Sequence, residues 1–151
     1  MKWTPNRSVF LSKICVWLFM AAYAAVVLAC PMVVKGYEAL RTAQLSAFHE
    51  HLIMITIYVC AVPVGVILWS LMRLIRNIGQ EQLFTTENIG CLRRISWMCF
   101  SVAAATLVSA WYYAMWIVIA CCMAFMGLLI RVIKNVFERA KEIKEENDFT
   151  I

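Results

Sequence analysis

The stretch ISWMCFSVAAATLVSAWYYAMWIVIACCMAFMGLLI, residues 95–130, contains no charged side chain. A helix needs about 20 predominantly apolar residues to cross the hydrocarbon core of a membrane. The stretch is long enough for two crossings only if almost nothing separates them. It therefore predicts two membrane spans, residues 95–112 and 113–130, that form a tight antiparallel hairpin.

Two further uncharged stretches precede this hairpin, at residues 14–34 and 52–72. The chain has 151 residues, of which 64% are hydrophobic and 15% charged, a composition far from that of soluble proteins. Because a backbone in lipid must satisfy its own polar groups, we expect the spans to be helices. The sequence predicts an all-α integral membrane protein: one domain, residues 1–151, with four transmembrane helices in an up-down antiparallel bundle.

The basic residues lie almost entirely on one side of the four spans. Twelve of the 14 Lys and Arg residues fall in the N-terminal arm, the connection 73–94 and the tail 131–151. Cytoplasmic segments of membrane proteins carry such an excess of basic residues. We therefore expect a multi-pass membrane protein, with both termini in the cytoplasm and the C-terminal helix extended into it.

The net charge of +5 has the same explanation. Basic residues beside membrane spans set the topology and attract anionic lipid headgroups. Membrane lipid is therefore an expected partner, and we expect no direct binding of nucleic acid.

The connection 73–94 contains signals for the end of one helix and the start of the next. Gly79 is expected to end the second helix, and Thr85 or Thr86 followed by Glu87 is typical of a helix N-terminus. A threonine hydroxyl caps the first free amides, and a carboxylate is favourable at the positive end of the helix dipole. The connection is either purely structural or also a docking surface for a cytoplasmic partner.

The tail 131–151 continues the fourth span without a helix breaker. Opposite charges four residues apart, at Lys134 and Glu138 and at Lys141 and Glu145, support an exposed helix. The opposite side carries an apolar stripe that consists of Ile133, Val136, Phe137, Ala140 and Ile143. We expect this stripe to pack on the connection 73–94, to lie on the membrane or to bind another helix.

Residues that support catalysis, metal binding or redox chemistry are scarce. The seven cysteines include no Cys-x-x-Cys pair, and His49 and His51 have no further ligands nearby in the sequence. We expect no catalytic site, no cofactor and no metal site. Cys30 is the thiol closest to the outer face, and we expect it to oxidise most readily.

Pro63 and Gly65 lie in the middle of the second span. A proline inside a helix removes a backbone donor and clashes with the preceding turn. The pair therefore predicts a helix kink, which serves packing, a ligand site or a hinge.

Two motifs resemble a known family. The motif LFTTEN at residues 83–88, followed by LRRI at residues 92–95, is similar to the cytoplasmic loop of a bacterial family catalogued as domain of unknown function 2975. The closing EENDFTI at residues 145–151 resembles the tail of the same family. The resemblance covers essentially the whole chain. It implies a small four-helix membrane protein, often encoded beside a small helix-turn-helix regulator, and it implies no established activity.

The leading expectation is a non-enzymatic regulatory or sensory protein that acts on a cytoplasmic partner, such as a small helix-turn-helix transcription regulator. The residues expected to form its interaction surface are Phe84, Glu87, Asn88, Arg93, Arg94, Glu146, Asn147 and Asp148. The acidic end of the tail is equally able to neutralise Arg93 and Arg94 within the same molecule.

The alternative is a membrane-embedded ligand-binding, transport-accessory or peptide-immunity protein. It would use the bundle interior around Pro63 and the aromatic turn around Trp111. A homo-oligomer is an open expectation in both cases, because small residues in the spans permit close helix contact.

Overall fold

The computed structural model describes residues 5–39, 47–80 and 85–148. These residues form four α-helices and no strand: α1 (Pro5–Ala39), α2 (Ala47–Ile78), α3 (Thr86–Ser109) and α4 (Trp116–Asp148). Each helix contains a segment that is long and apolar enough to cross a membrane. The prediction of an all-helical chain with four candidate membrane spans is confirmed.

The helix boundaries follow the local sequence signals. α2 ends at Ile78, directly before Gly79, and α3 begins at Thr86 behind the cap residue Thr85. The Thr85 hydroxyl accepts a 3.4 Å hydrogen bond from the amide of Asn88. This bond satisfies one of the free amides of the first turn. The expected helix end and helix start are both confirmed.

The four helices pack in a row that follows the chain order. Among the described residues, α1 packs on α2, α2 on α3 and α3 on α4, and no other pair of helices approaches as closely along its backbone. The α3–α4 interface is the most extensive of the three. α2 and α3 therefore lie in the middle of the row, and the backbones of α1 and α4 do not approach each other closely.

Polar contacts at both ends of the α2–α3 interface define its direction. Asn77 is hydrogen-bonded to Asn88 at one end, and Thr56 to Ser109 at the other. Higher numbers in α2 thus pair with lower numbers in α3, so the two helices run antiparallel.

A cluster of hydroxyl groups closes the second of these ends. Thr56 Oγ1 lies 2.8 Å from Ser109 Oγ and 2.5 Å from Tyr112 Oη. The Tyr112 hydroxyl also donates a 3.1 Å hydrogen bond to the carbonyl of Leu52. Tyr112 belongs to the turn 110–115 between α3 and α4. This turn is therefore fixed to α2 as well as to the two helices it joins.

The α1–α2 interface is built around Tyr23. Its hydroxyl donates a 2.9 Å hydrogen bond to the carbonyl of Ala61. A Cβ added at Gly65 would lie 3.1 Å from the Tyr23 oxygen, so glycine permits the close approach. α2 stays helical across Pro63. The kink remains a prediction, whereas Gly65 has a packing role against α1.

The α3–α4 interface has an equally close contact at Gly127. The Ser96 hydroxyl donates a 2.9 Å hydrogen bond to the Gly127 carbonyl. A Cβ at this position would lie 3.2 Å from Phe100 Cε1 and 3.3 Å from Cys99 Cβ. A small residue on one helix therefore brings the two backbones together, as is common between helices in membranes.

Three exposed tryptophans lie at one level of the row. The antiparallel contacts place Trp69 opposite Trp97 across α2 and α3, and Trp17 beside Trp69 across α1 and α2. Tryptophan favours the interface between a membrane and water. The tryptophans therefore mark one such interface, and Arg73 and Arg93 lie just beyond it along α2 and α3.

Candidate interaction surface

We define the polar end of the row as the region beyond the tryptophans: α2 from Arg73, α3 up to Arg94 and α4 from Arg131. An apolar cluster lies at its base. The cluster consists of buried Leu74, Cys91 and Leu92, against which Ile78, Ile130 and Phe137 pack. Residues of all three helices contribute, so the backbones that carry the polar side chains are held together.

Two asparagine side chains join α2 to α3 inside the polar end. Asn77 Nδ2 donates a 2.9 Å hydrogen bond to Asn88 Oδ1. Both residues are buried, and Asn88 has no exposed surface. A buried amide is stable only when it is hydrogen-bonded. The pair therefore specifies how α2 and α3 align.

An ion pair lies beside these asparagines on the surface. Arg73 Nε donates a 2.5 Å hydrogen bond to Glu87 Oε1. Glu87 precedes the uncharged part of α3, so it lies outside the segment that would enter the membrane. Hydrogen bonds from Arg73 and Asn77, together with the Arg73 charge, lower the pKa of Glu87. Glu87 therefore stays ionised and holds the first turn of α3 against α2.

Glu138 connects α4 to α3. Its carboxylate forms a 2.8 Å ion pair with Lys134 on its own helix and accepts a 3.3 Å hydrogen bond from Arg93 on α3. The hydrogen bond from Lys134 is the largest cause of a lowered pKa of Glu138, and Arg93 adds to it. One carboxylate is thus shared by two cations from neighbouring helices.

Lys141 makes a second connection, one turn further along α4. Its ammonium donates a 2.8 Å hydrogen bond to the Thr86 hydroxyl and lies 3.4 Å from Glu145 Oε1. The predicted ion pairs four residues apart, Lys141 with Glu145 and Lys134 with Glu138, are both confirmed. The side of α4 that carries them faces α3.

A groove of about 450 Å³ runs between α3 and α4 at the polar end. Its lining includes Thr86, Ile89, Gly90, Arg93, Glu138, Lys141, Glu142 and Glu145. A Cβ added at Gly90 would meet no atom within 4 Å, so this part of the groove is open. The groove has the size of a site for a small molecule or for side chains of a partner, and it offers both positive and negative groups.

Comparison with known proteins gives one match. The family model described as "Protein of unknown function (DUF2975)" matches residues 36–151. The chain belongs to this family. No curated protein matches the chain, and no solved structure does. The DUF2975 match contains the whole of α2, α3 and α4, and hence the complete polar end, whereas most of α1 precedes it.

The polar end contains most of the residues predicted from the DUF2975 motifs, but these residues differ in how exposed they are. Arg94 is exposed, and Glu87 and Arg93 are exposed members of ion pairs. Asn88 is buried against Asn77, so we reassign it from the expected surface to the helix interface.

The remaining predicted residues belong to the end of α4 and to the connection before α3. Glu146 and Asn147 are exposed in the last turns of α4, and Asp148 is its final residue. Phe84 lies outside the described residues. Arg93 contacts Glu138.

Three residues that organise the polar end were not part of the predicted interaction surface: Arg73, Asn77 and Glu138. The spacing of Glu138 from Lys134 was a usable signal for its ion pair on α4. The partners of Arg73 and Asn77 lie on α3, and no periodicity within one helix indicates a contact between two helices.

The apolar stripe of the tail is divided. Phe137 is half-buried at the apolar cluster, in agreement with packing on the connection 73–94. Ile133, Val136 and Ile143 are exposed. The half-buried Lys134 and Lys141 lie on the side of α4 that faces α3, where their ammonium groups bind Glu138 and Thr86.

All seven cysteines are free thiols. Cys30 is only 2% exposed, which corrects the expectation that it is the thiol most readily oxidised. No group of three or more His, Cys, Asp or Glu residues is placed to hold a metal ion within the described ranges.

Proposed function

We propose that this DUF2975 protein is a non-enzymatic regulatory protein of the bacterial plasma membrane. Its four helices would cross the membrane as an up-down bundle, with both termini and the polar end in the cytoplasm. The distribution of Lys and Arg along the chain supports this orientation. The level of the three tryptophans, next to Arg73 and Arg93, supports the same side.

The function of the polar end is to bind a cytoplasmic protein. The observation that carries this proposal is the open groove between α3 and α4, with charged groups of both signs on rigid helices. A partner segment with acidic and basic residues would meet cations at Arg93 and Lys141 and carboxylates at Glu142 and Glu145 in this lining. A small helix-turn-helix transcription regulator is the partner that the family resemblance favours.

Gly90 offers a way to test this proposal. Gly90→Leu places an apolar side chain in the groove, and its Cβ meets no atom of the chain within 4 Å. Gly36→Leu is the matched control, since its Cβ position is equally open and lies outside the groove. A tagged full-length chain would be purified in mild detergent together with the helix-turn-helix regulator encoded beside it.

We expect the regulator to co-purify with the wild type and with Gly36→Leu, and to be lost with Gly90→Leu. Recovery of equal amounts with all three chains would exclude the groove as the docking site. Absence of the regulator from the wild-type preparation would exclude this class of partner.

The orientation has its own test. A C-terminal green fluorescent protein is expected to fluoresce, because that protein folds in the cytoplasm, and a C-terminal alkaline phosphatase is expected to be inactive there. Active phosphatase and no fluorescence would place the polar end on the opposite side.

A second candidate function rests on Trp111, which is 97% exposed in the turn between α3 and α4. A fully exposed indole is a recognised anchor for a partner. The alternative of a ligand-binding, transport-accessory or peptide-immunity protein predicts that Trp111→Ala or Pro63→Ala changes peptide resistance or ligand uptake. Truncation after Lys144 should then have little effect, whereas it should impair a regulator that acts through the tail.

A further inference from the structure

A second, smaller cavity lies between α3 and α4, closer to the tryptophans than the groove is. It has a volume of about 60 Å³, which exceeds the roughly 10–15 Å³ that one water molecule requires. Its lining consists of Arg93, Ser96, Trp97, Arg131 and Lys134. Three of these five side chains are cations, so the cavity is suited to a small anionic group.

The positive charge around this cavity is only partly neutralised. Arg93 and Lys134 share the single carboxylate of Glu138. Arg131 lies over the ring of Trp97, with its guanidinium carbon 5.8 Å from the ring centroid, and has no ion-pair partner among the described residues. A guanidinium over an indole keeps donors in its own plane available for an oxygen ligand.

Lys134 strengthens this preference, whereas the Ser96 hydroxyl has no donor left for an anion. The Ser96 hydroxyl donates its hydrogen to the carbonyl of Gly127. The Lys134 side chain is only 14% exposed, so water screens its charge poorly. An ammonium has three donors, and Glu138 does not exhaust them.

The position of the cavity along α3 and α4 indicates that it lies at the level of the lipid headgroups. Trp97 is at the level of the other exposed tryptophans, and the uncharged part of α3 begins beside it at Ile95. Leu128, one turn before Arg131 on α4, is a large exposed apolar side chain. Cations at the headgroup level are thus followed by apolar surface at the level of the acyl chains.

We propose that this cavity binds a phosphate group, that of an anionic glycerophospholipid in the leaflet next to the polar end. Arg131 and Arg93 donate to the phosphate oxygens, Lys134 supplies charge, and Trp97 and Leu128 contact the glycerol and acyl chains. Inorganic phosphate has the same oxygens but lacks the acyl chains that would contact Leu128. The proposal does not depend on a protein partner at the groove.

The test uses the full chain in a mild detergent and counts bound lipid by native mass spectrometry. Phosphatidylglycerol is compared with phosphatidylcholine, which has no net charge. Arg131→Gln is the test variant, and Arg139→Gln is the matched control, because Arg139 is an exposed arginine of the same helix outside the cavity. Arg93 is left unchanged, so the groove and its ion pair to Glu138 are retained.

We expect one phosphatidylglycerol to bind the wild type in preference to phosphatidylcholine. Arg131→Gln should weaken its binding about fivefold, the usual effect of one basic residue near a charged membrane surface. Arg139→Gln should bind as the wild type does. An equal loss for both variants would mean nonspecific attraction to net charge and would overturn the proposal.

Two further outcomes would also overturn it. Equal binding of the two lipids to the wild type would remove the selectivity for an anion. Complete displacement of phosphatidylglycerol by millimolar inorganic phosphate would assign the cavity to a free anion instead of a lipid. Unchanged thermal unfolding of Arg131→Gln would establish that loss of lipid does not reflect loss of the fold.

Discussion

Asn77 donates a 2.9 Å hydrogen bond to Asn88, and both side chains are buried between α2 and α3. Asn88→Ala would leave the Asn77 amide without this partner in a buried place. We expect a loss of about 1–3 kcal/mol in the free energy of unfolding, measured by denaturation in mixed micelles. Asn147→Ala removes an exposed asparagine from α4 and should change that free energy by less than about 0.5 kcal/mol. Equal effects would show that the buried pair does not stabilise the interface.

The sequence was sufficient to predict four apolar helices and the local ends of two of them. Uncharged length and the Thr85 cap depend on residues close together in the chain, and both appear as expected. The row arrangement was not predictable, because the spans are uncharged on all sides and their few hydroxyl residues lie on both buried and exposed surfaces. In such helices no polar face distinguishes the surface that packs on a neighbour from the surface that faces lipid.

The same reasoning explains why Asn88 was assigned to the surface. As a polar residue in the first turn of a helix, it resembles a capping or exposed side chain. Its burial results from Asn77, which lies on another helix and offers a matching amide. Asn88 was thus assigned to the surface because it is polar, although its hydrogen bond to Asn77 buries it.

Two glycines of the α3–α4 pair should respond in opposite ways to alanine. Gly127→Ala introduces a Cβ that lies 3.2 Å from Phe100, and we expect it to destabilise the protein by about 1–3 kcal/mol through overpacking. Gly90→Ala meets no atom within 4 Å and should stabilise α3 by about 0.5–1 kcal/mol, because alanine is the better helix former. Unfolding in mixed micelles measures both. A stabilising Gly127→Ala would contradict the close contact.

Tyr23 and Gly65 should show energetic coupling. Tyr23→Phe loses the hydrogen bond to the Ala61 carbonyl, which is worth about 0.6 kcal/mol on the average for bonds between membrane helices. Gly65→Ala places a Cβ 3.1 Å from the Tyr23 oxygen and should also destabilise the protein. The double variant lacks this oxygen, so its loss should be smaller than the two single losses together. Simple additivity in a double-mutant cycle would mean that the two residues are not in contact.

The Arg73–Glu87 ion pair should make the α2–α3 contact depend on pH. The pKa of Glu87 is lower in the folded chain than its ordinary value of about 4.3. The pair therefore stabilises the fold above that ordinary value, and the stabilisation is lost as the pH falls through the lower pKa of the folded state. We expect the melting temperature of the wild type to exceed that of Glu87→Gln at pH 7, and the difference to shrink as the pH falls through the lowered pKa of Glu87. Glu142→Gln, which removes a different exposed carboxylate, should not reproduce this pattern; if it does, the effect belongs to net charge.

The position of α1 at one edge of the row has a consequence for shortened forms of the chain. α1 packs on α2 alone, and none of the ion pairs of the polar end involves it. A chain that starts at Gly36, where the DUF2975 match begins, would keep both interfaces of the other three helices. Because most basic residues stay with α2, α3 and α4, the polar end would keep its side of the membrane. Removal of one crossing would then transfer the N-terminus to the opposite face, so that the ends of the chain would be separated by the bilayer while the polar end stayed intact.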